Sequence, residues 1–155
     1  RYVKLAIFID SGKMDEVVND IYNKCLLEMQ CYTMFDYIRL LDTRIQRMQG
    51  SDGAKVRKMN FGMAIMALKA GYPIRRSGWN GKGLMVFKQV PAHIDSDIIP
   101  KMQSLPQSAK DLILKGKGFI DYTSQCLIYN ENTGRADSWV PSISDVFADD
   151  WEIVQ

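Results

Sequence analysis

Nine consecutive residues, Arg75-Arg76-Ser77-Gly78-Trp79-Asn80-Gly81-Lys82-Gly83, bring together two guanidiniums, an ammonium, an indole and a carboxamide on a backbone threaded by three glycines. Each group suits one part of a nucleotide. Arginine and lysine donate charge-assisted hydrogen bonds to phosphate, tryptophan offers a face on which a base stacks, and asparagine donates and accepts around a ribose or a base edge. The glycines let the chain turn tightly and approach a ligand closely. The competing reading is that Trp79 is a core aromatic beside a solvated basic turn.

Within the stretch the residues divide by geometry. Arg75 and Arg76 alternate along a predicted strand, so one faces a site while the other points away; Arg76 is the one assigned to the site. Trp79 either stacks a base, a contact worth about 1–3 kcal/mol, or plugs the core under the turn. Asn80 and Lys82 reach phosphate or ribose oxygens, and the N–H groups of Gly81 and Gly83 add donors as an anion-binding nest. Asn80-Gly81 is equally a tight-turn dipeptide. A second wall is expected from Trp139, Ser142 and Asp145. Ser142 or Ser144 can bond a ligand and Asp145 can accept from a ribose hydroxyl or purine amino group, although for Ser142 a helix cap is the favoured reading. Trp151 belongs to the core or a subunit interface. His93, the single histidine, is read as a surface residue in the loop after Pro91-Ala92.

Catalytic chemistry has no foothold in this pattern. No HExxH, Cys-His pair or GxSxG is present, and the adjacent carboxylates of Asp149-Asp150 are expected to point apart. The chain therefore reads as a binder, with no cofactor and no metal. The balance of 20 basic against 18 acidic residues rules out the global positive field that drives sequence-independent binding to nucleic acid polymers. No apolar run reaches the roughly 18–20 residues of a membrane span, and no secretory signal pattern opens the sequence. Cys25, Cys31 and Cys126 lack metal-site spacing and read as reduced, mostly buried thiols. The chain opens on Arg1, so residues are expected upstream of it.

The elements that must position these groups follow from periodicity. Tyr2 to Ile9 alternates and predicts a strand, and apolar residues from Met14 to Met29 fall at helical spacing. A second helix is predicted from Thr33, its cap, to about Met48 before Gly50. Residues 49–58, rich in small, polar and basic groups, read as a linker. Asn60 caps a helix carrying Phe61, Ile65 and Leu68 on one face and ending at Gly71. Strands follow at 72–76 and 84–90, then an insertion over 98–117 whose helix starts at Ser104 with Pro106 just inside. Short strands at 119–123 and 125–130, a hairpin turn at Asn132-Thr133-Gly134, a strand at 135–140, a helical turn from Pro141 to Phe147 and a closing strand from Trp151 complete the chain. The fold class is α+β, a small antiparallel sheet with short helices preceded by a β-α-α extension. The domains are 1–58 and 59–155.

Three blocks carry a resemblance. Met59-Asn60-Phe61-Gly62 with Ala67-Leu68-Lys69-Ala70-Gly71, then Arg75 to Gly83, then Trp139-Val140-Pro141-Ser142 with Asp145 and Asp149-Asp150-Trp151-Glu152, together resemble the Thoeris anti-defence protein 2 family of small phage proteins. The resemblance covers residues 59–155. It implies a sponge that binds a cyclic nucleotide immune signal and holds it without chemical change. That signal is a cyclic ADP-ribose isomer made by a TIR enzyme of the bacterial Thoeris system, with cyclic di- and trinucleotides as further candidate ligands. It also implies a homo-oligomer, commonly a tetramer, acting in the cytoplasm of the infected host. Residues 1–58 and the 98–117 insertion lie outside the minimal pattern. The alternative from another class is a phage structural or adaptor protein whose sheet binds protein.

Overall fold

The structure, a computed structural model, describes residues 1–56 and 58–154. Arg57, inside the predicted linker, and Gln155, at the end of the predicted second domain, lie outside the described residues. The chain divides into two compact units, Arg1–Met59 and Asn60–Gln155.

The first unit is built from α1 (Tyr2–Asp10), α2 (Lys13–Val17) and α3 (Ile21–Met48). The predicted strand at Tyr2 to Ile9 is thus a helix. Its alternating apolar residues also contain the set Tyr2, Ala6 and Ile9, spaced for one helical face. That face borders a groove of about 320 Å³ with Cys31, Tyr32 and Phe35 of α3, where the rings of Tyr2 and Phe35 lie 5.8 Å apart. The two helices expected over 14–29 and 33–48 are also corrected. Asp20 caps α3 by accepting from the Tyr22 N–H at 3.0 Å, and with no glycine or proline between Ile21 and Met48 the helix runs unbroken for 28 residues. Thr33 does not cap; its hydroxyl donates back to the Met29 carbonyl at 2.8 Å inside the helix. Beyond α3 the Arg47 guanidinium holds the next segment, donating to the carbonyls of Asp52 and Ala54.

The second unit begins with α4 (Phe61–Lys69), which starts and stops on sequence-local signals. The Asn60 side chain accepts from the Met63 N–H at 2.9 Å. At the other end Gly71 takes φ +88°, its N–H donating to the Leu68 carbonyl and that of Tyr72 to the Ala67 carbonyl, the paired closure of a left-handed helix stop. Five strands form one antiparallel sheet in the order β6-β5-β2-β1-β7: β1 Ile74–Arg76, β2 Leu84–Lys88, β5 Cys126–Asn130, β6 Arg135–Ser138 and β7 Trp151–Ile153. A separate antiparallel pair joins β3 (Ala92–Ile94) to β4 (Ile120–Tyr122). His93 is therefore on a strand, opposite Asp121, and not in a loop. Three residues after a proline are too few to show a period of two. In the insertion, Pro106 is the N-cap of α5 (Gln107–Lys115), so that helix starts later than Ser104.

The core lies where α4 crosses the sheet. Met63, Ala64, Ala67 and Leu68 are buried over Ile74, Val86 and Trp151, each of the last three fully enclosed. Removing the Trp151 ring from water contributes about 4–6 kcal/mol by area, the largest single apolar contribution at this junction. The helix face that packs is the one with the small residues Ala64 and Ala67, which bring the backbone close, and Ile65 is only partly covered.

Candidate functional site

Residue pairing across β1 and β7 builds the site. Antiparallel register sets Arg75 against Glu152 and Arg76 against Trp151. Arg75 Nε donates to Glu152 Oε1 at 2.6 Å, an ion pair whose arginine side remains 40% exposed. Arg76 turns to a different set of partners: Nε donates to Asp150 Oδ1 at 2.7 Å, and Nη1 to Asp145 Oδ1 at 3.0 Å and the Ser144 carbonyl at 3.2 Å.

Asp145 is the hub. It is buried, and its carboxylate accepts four hydrogen bonds, two at each oxygen. Arg76 Nη1 and Trp79 Nε1, the latter at 3.1 Å, donate to Oδ1; the Ser142 N–H at 3.0 Å and hydroxyl at 2.8 Å donate to Oδ2. Ser142 is also the N-cap of α6 (Ile143–Val146), accepting from the Asp145 N–H, so serine and aspartate close a reciprocal capping box. Burial disfavours the Asp145 anion, but the Ser142 backbone and hydroxyl donors, Arg76 and Trp79 together outweigh it and hold the carboxyl below the usual carboxylate range. At Asp150 burial is likewise outweighed, here by Arg76 and the Gly78 N–H, and that carboxyl is also lowered. Arg76 in turn is raised above the ordinary arginine value, first by its bond to Asp150 and then by Asp145.

These bonds staple the turn. Asp150 Oδ2 accepts from the Gly78 N–H at 2.8 Å, and its carbonyl accepts from the Ser77 N–H at 3.0 Å. A Cβ at residue 78 would stand 2.5 Å from Asp150 Oδ2, so a larger residue there would displace the carboxylate that holds the turn. Beneath the turn the Trp151 ring meets Trp79 edge-on at 5.4 Å, Trp139 edge-on at 6.1 Å and Phe61 at 5.8 Å. Trp79 is thereby fixed by its ring packing and by its N–H.

Beside this network opens a cleft of about 380 Å³. Of the residues expected to bind a ligand, Arg75, Arg76, Trp79, Gly81, Lys82 and Gly83 line it; Asn80, Trp139, Ser142 and Asp145 do not. Both arginines reach one cleft because β1 ends at Arg76 and the chain turns there, so strand alternation ceases to separate them. Among the described residues, Arg75 has one ion-pair partner, Glu152 through Nε, and the Lys82 ammonium has none. The Lys82 loop is held through its backbone: Asn132 Nδ2 donates to the Lys82 carbonyl at 2.6 Å and the Glu131 N–H to the Gly83 carbonyl at 2.9 Å, with Gly83 at φ +78°.

Sequence reasoning missed Ser77, Leu84, Glu131 and Glu152, which also line the cleft. Glu152 enters by register with Arg75, and Glu131 by the hairpin that carries Asn132. Neither has a local signal. The cleft thus offers cationic donors at Arg75 and Lys82 and carboxylate acceptors at Glu131 and Glu152, the combination required by a ligand that is both phosphorylated and rich in hydroxyl or amino donors. His93 lies elsewhere, its Nδ1 2.6 Å from Asp121 Oδ1 and its ring 4.9 Å from that of Phe119; the Asp121 bond raises its pKa above the ordinary histidine value. Among the described residues no group of three or more His, Cys, Asp or Glu side chains gathers as a metal site, and no helix is long and apolar enough to cross a membrane.

Comparison with known proteins matches both units. A family model described as Thoeris anti-defense 2-like domain matches residues 59–154, and one described as Sequestin matches residues 1–47. Thoeris anti-defense 2 of Bacillus phage SP01 is 33% identical over 102 residues, spanning 63% of this chain and 96% of that protein.

Proposed function

We propose, given that this chain belongs to the Thoeris anti-defense 2-like family, that it is a sponge: a phage anti-defence protein that holds a cyclic nucleotide immune signal and returns it unaltered. Family membership supports the anti-Thoeris role. The observation that carries the finer reading is the cleft beside Trp79, which the Arg75 and Lys82 cations line together with the Glu131 and Glu152 carboxylates. Arg75 and Lys82 bind the phosphates of a cyclic ADP-ribose isomer, and the carboxylates accept from ribose hydroxyls or the adenine amino group. Trp79, half-buried and lining the cleft, offers its ring to the base while it stays packed against Trp151. Asp145 and Ser142 act through Arg76 and Trp79 by fixing the turn, and Trp139 by backing Trp151. Cyclic di- and trinucleotides are further ligands of the same class.

Sequestration needs affinity and no turnover. Holding a signal at nanomolar concentration takes about 12 kcal/mol, within reach of a stacked base, several charge-assisted phosphate contacts and a second subunit closing the open side. The chain acts as a homo-oligomer in the host cytoplasm. The test is to incubate the purified protein with the cyclic ADP-ribose isomer, remove unbound ligand, denature by heat and analyse the supernatant by mass spectrometry. Intact ligand is expected. Altered ligand would make the protein an enzyme, and no retained ligand would favour a protein-binding adaptor.

A further inference from the structure

From the shape of its longest helix we infer that α3 pairs with α3 of a second copy of this chain, antiparallel, about a two-fold axis near residue 35. On one side of α3 stand Tyr22, Leu26, Met29, Thr33, Tyr37, Leu41, Arg44 and Met48. The intervals are four, three, four, four, four, three and four, the same read from either end. Tyr22, Leu26, Met29, Tyr37 and Met48 are 44–84% exposed, and no residue of the helix is buried. Large apolar groups left this open over 28 residues, about 42 Å of helix, mark an interaction surface.

The first unit does not cover this side. Its α1 has nine residues and seats on a different face, that of Cys31 and Phe35. What fits the open side is its own reverse. A two-fold contact is isologous, each patch meeting its copy, and the palindromic stripe sets Tyr22 on Met48, Leu26 on the aliphatic stem of Arg44, Met29 on Leu41 and Thr33 on Tyr37. Charge selects the same direction. The first half of α3 with its cap, through Asp20, Lys24 and Glu28, carries net −1, and the second half, through Asp36, Arg39, Asp42, Arg44 and Arg47, carries net +1. Antiparallel pairing opposes unlike halves and unlike helix dipole ends; parallel pairing would stack Arg44 on Arg44.

The decisive experiment is equilibrium sedimentation of the full chain, as wild type and as Met29→Asp/Tyr37→Asp. Both positions are exposed, so helicity by circular dichroism should not change. The wild type is expected at a multiple of 17.7 kDa, and the double variant at half the wild-type mass or less. A monomeric wild type, or a variant of unchanged mass, would overturn the pairing. Direction is read separately by spin labels at Met48→Cys in a background with Cys25, Cys31 and Cys126 replaced by serine. Antiparallel helices place the labels about 40 Å apart; a separation under about 20 Å would mean parallel pairing and would overturn the two-fold axis near residue 35.

Discussion

Arg75 and Arg76 are chain neighbours on one strand, yet their surroundings are opposite. Arg76 sits 18% exposed between two carboxylates, with its partners Asp145 and Asp150 themselves bonded to Ser142, Trp79 and Gly78. Arg75 touches one carboxylate from the edge of an open cleft, and Lys82 nearby has its loop anchored only through the backbone. The first region is closed on itself: its two carboxylates and the Nε and Nη1 donors of Arg76 are spent on one another. The second is held in place but leaves its charged ends free. A binding turn needs both, since donors that must also hold the fold cannot give their hydrogen bonds to a ligand without cost, and free donors on an unsupported loop lose affinity to the entropy of ordering.

The difference between the two regions can be broken from the closed side first. Asp145→Ala strips partners from Arg76, the Trp79 N–H and the Ser142 cap at once. Removing one member of a buried pair costs about 3–5 kcal/mol; with one edge of this network reaching solvent, a loss of about 3 kcal/mol is expected in denaturant unfolding of the second unit. A loss below about 1 kcal/mol would mean that the network does not hold the turn.

Acid tests the same region without mutation. The folded pKa values of Asp145 and Asp150 lie below the unfolded value of about 3.9. The two carboxylates therefore contribute stability that is present above that value and is lost as pH falls through the lower folded values. The contribution of these two carboxylates to the urea midpoint should hold steady from pH 7 to about 5 and fall away below about pH 4. In Asp145→Ala the drop should be shallower.

Trp79→Phe separates the two tasks of that residue. It keeps an aromatic face but removes the N–H that donates to Asp145, so it is expected to lose about 1–2 kcal/mol of stability while ligand affinity falls less than tenfold. Equal and large losses in both would show that the network and the cleft are one unit.

The smallest effect on folding is expected from Lys82→Ala. Exposed and without an ion-pair partner among the described residues, Lys82 should change stability by less than about 0.5 kcal/mol while affinity for the cyclic ADP-ribose isomer, read by calorimetry, falls at least tenfold. Unchanged affinity would remove Lys82 from the ligand's contacts.

Elements bounded by local chemistry were legible. Asn60 as a cap, Gly71 as a left-handed stop, the hairpin around Asn132-Thr133-Gly134 and the cap at Ser142 each involve residues within a few positions of one another, and each is where the sequence puts it. Tyr2 to Ile9 was not legible, because its apolar residues satisfy a period of two and a helical face together, and only packing against α3 chooses between them. The break expected near Thr33 was an error of the same kind: a hydroxyl that can cap can also bond back within a helix.

For the cleft the sequence alone determined the inventory: cations, an indole and glycines close together, in a turn between two strands. It could not say which of those groups would be free. That was decided by the register of β1 on β7, which gives Glu152 to Arg75, by the return of the chain through Asp145 and Asp150, which engages Arg76, and by the hairpin that brings Glu131 to the cleft beside Gly83. Those contacts join residues some 50 to 77 positions apart, and a pairing at such distance leaves no periodic trace in the chain, since it depends on how strands and loops are stacked and on nothing in the local run of residues.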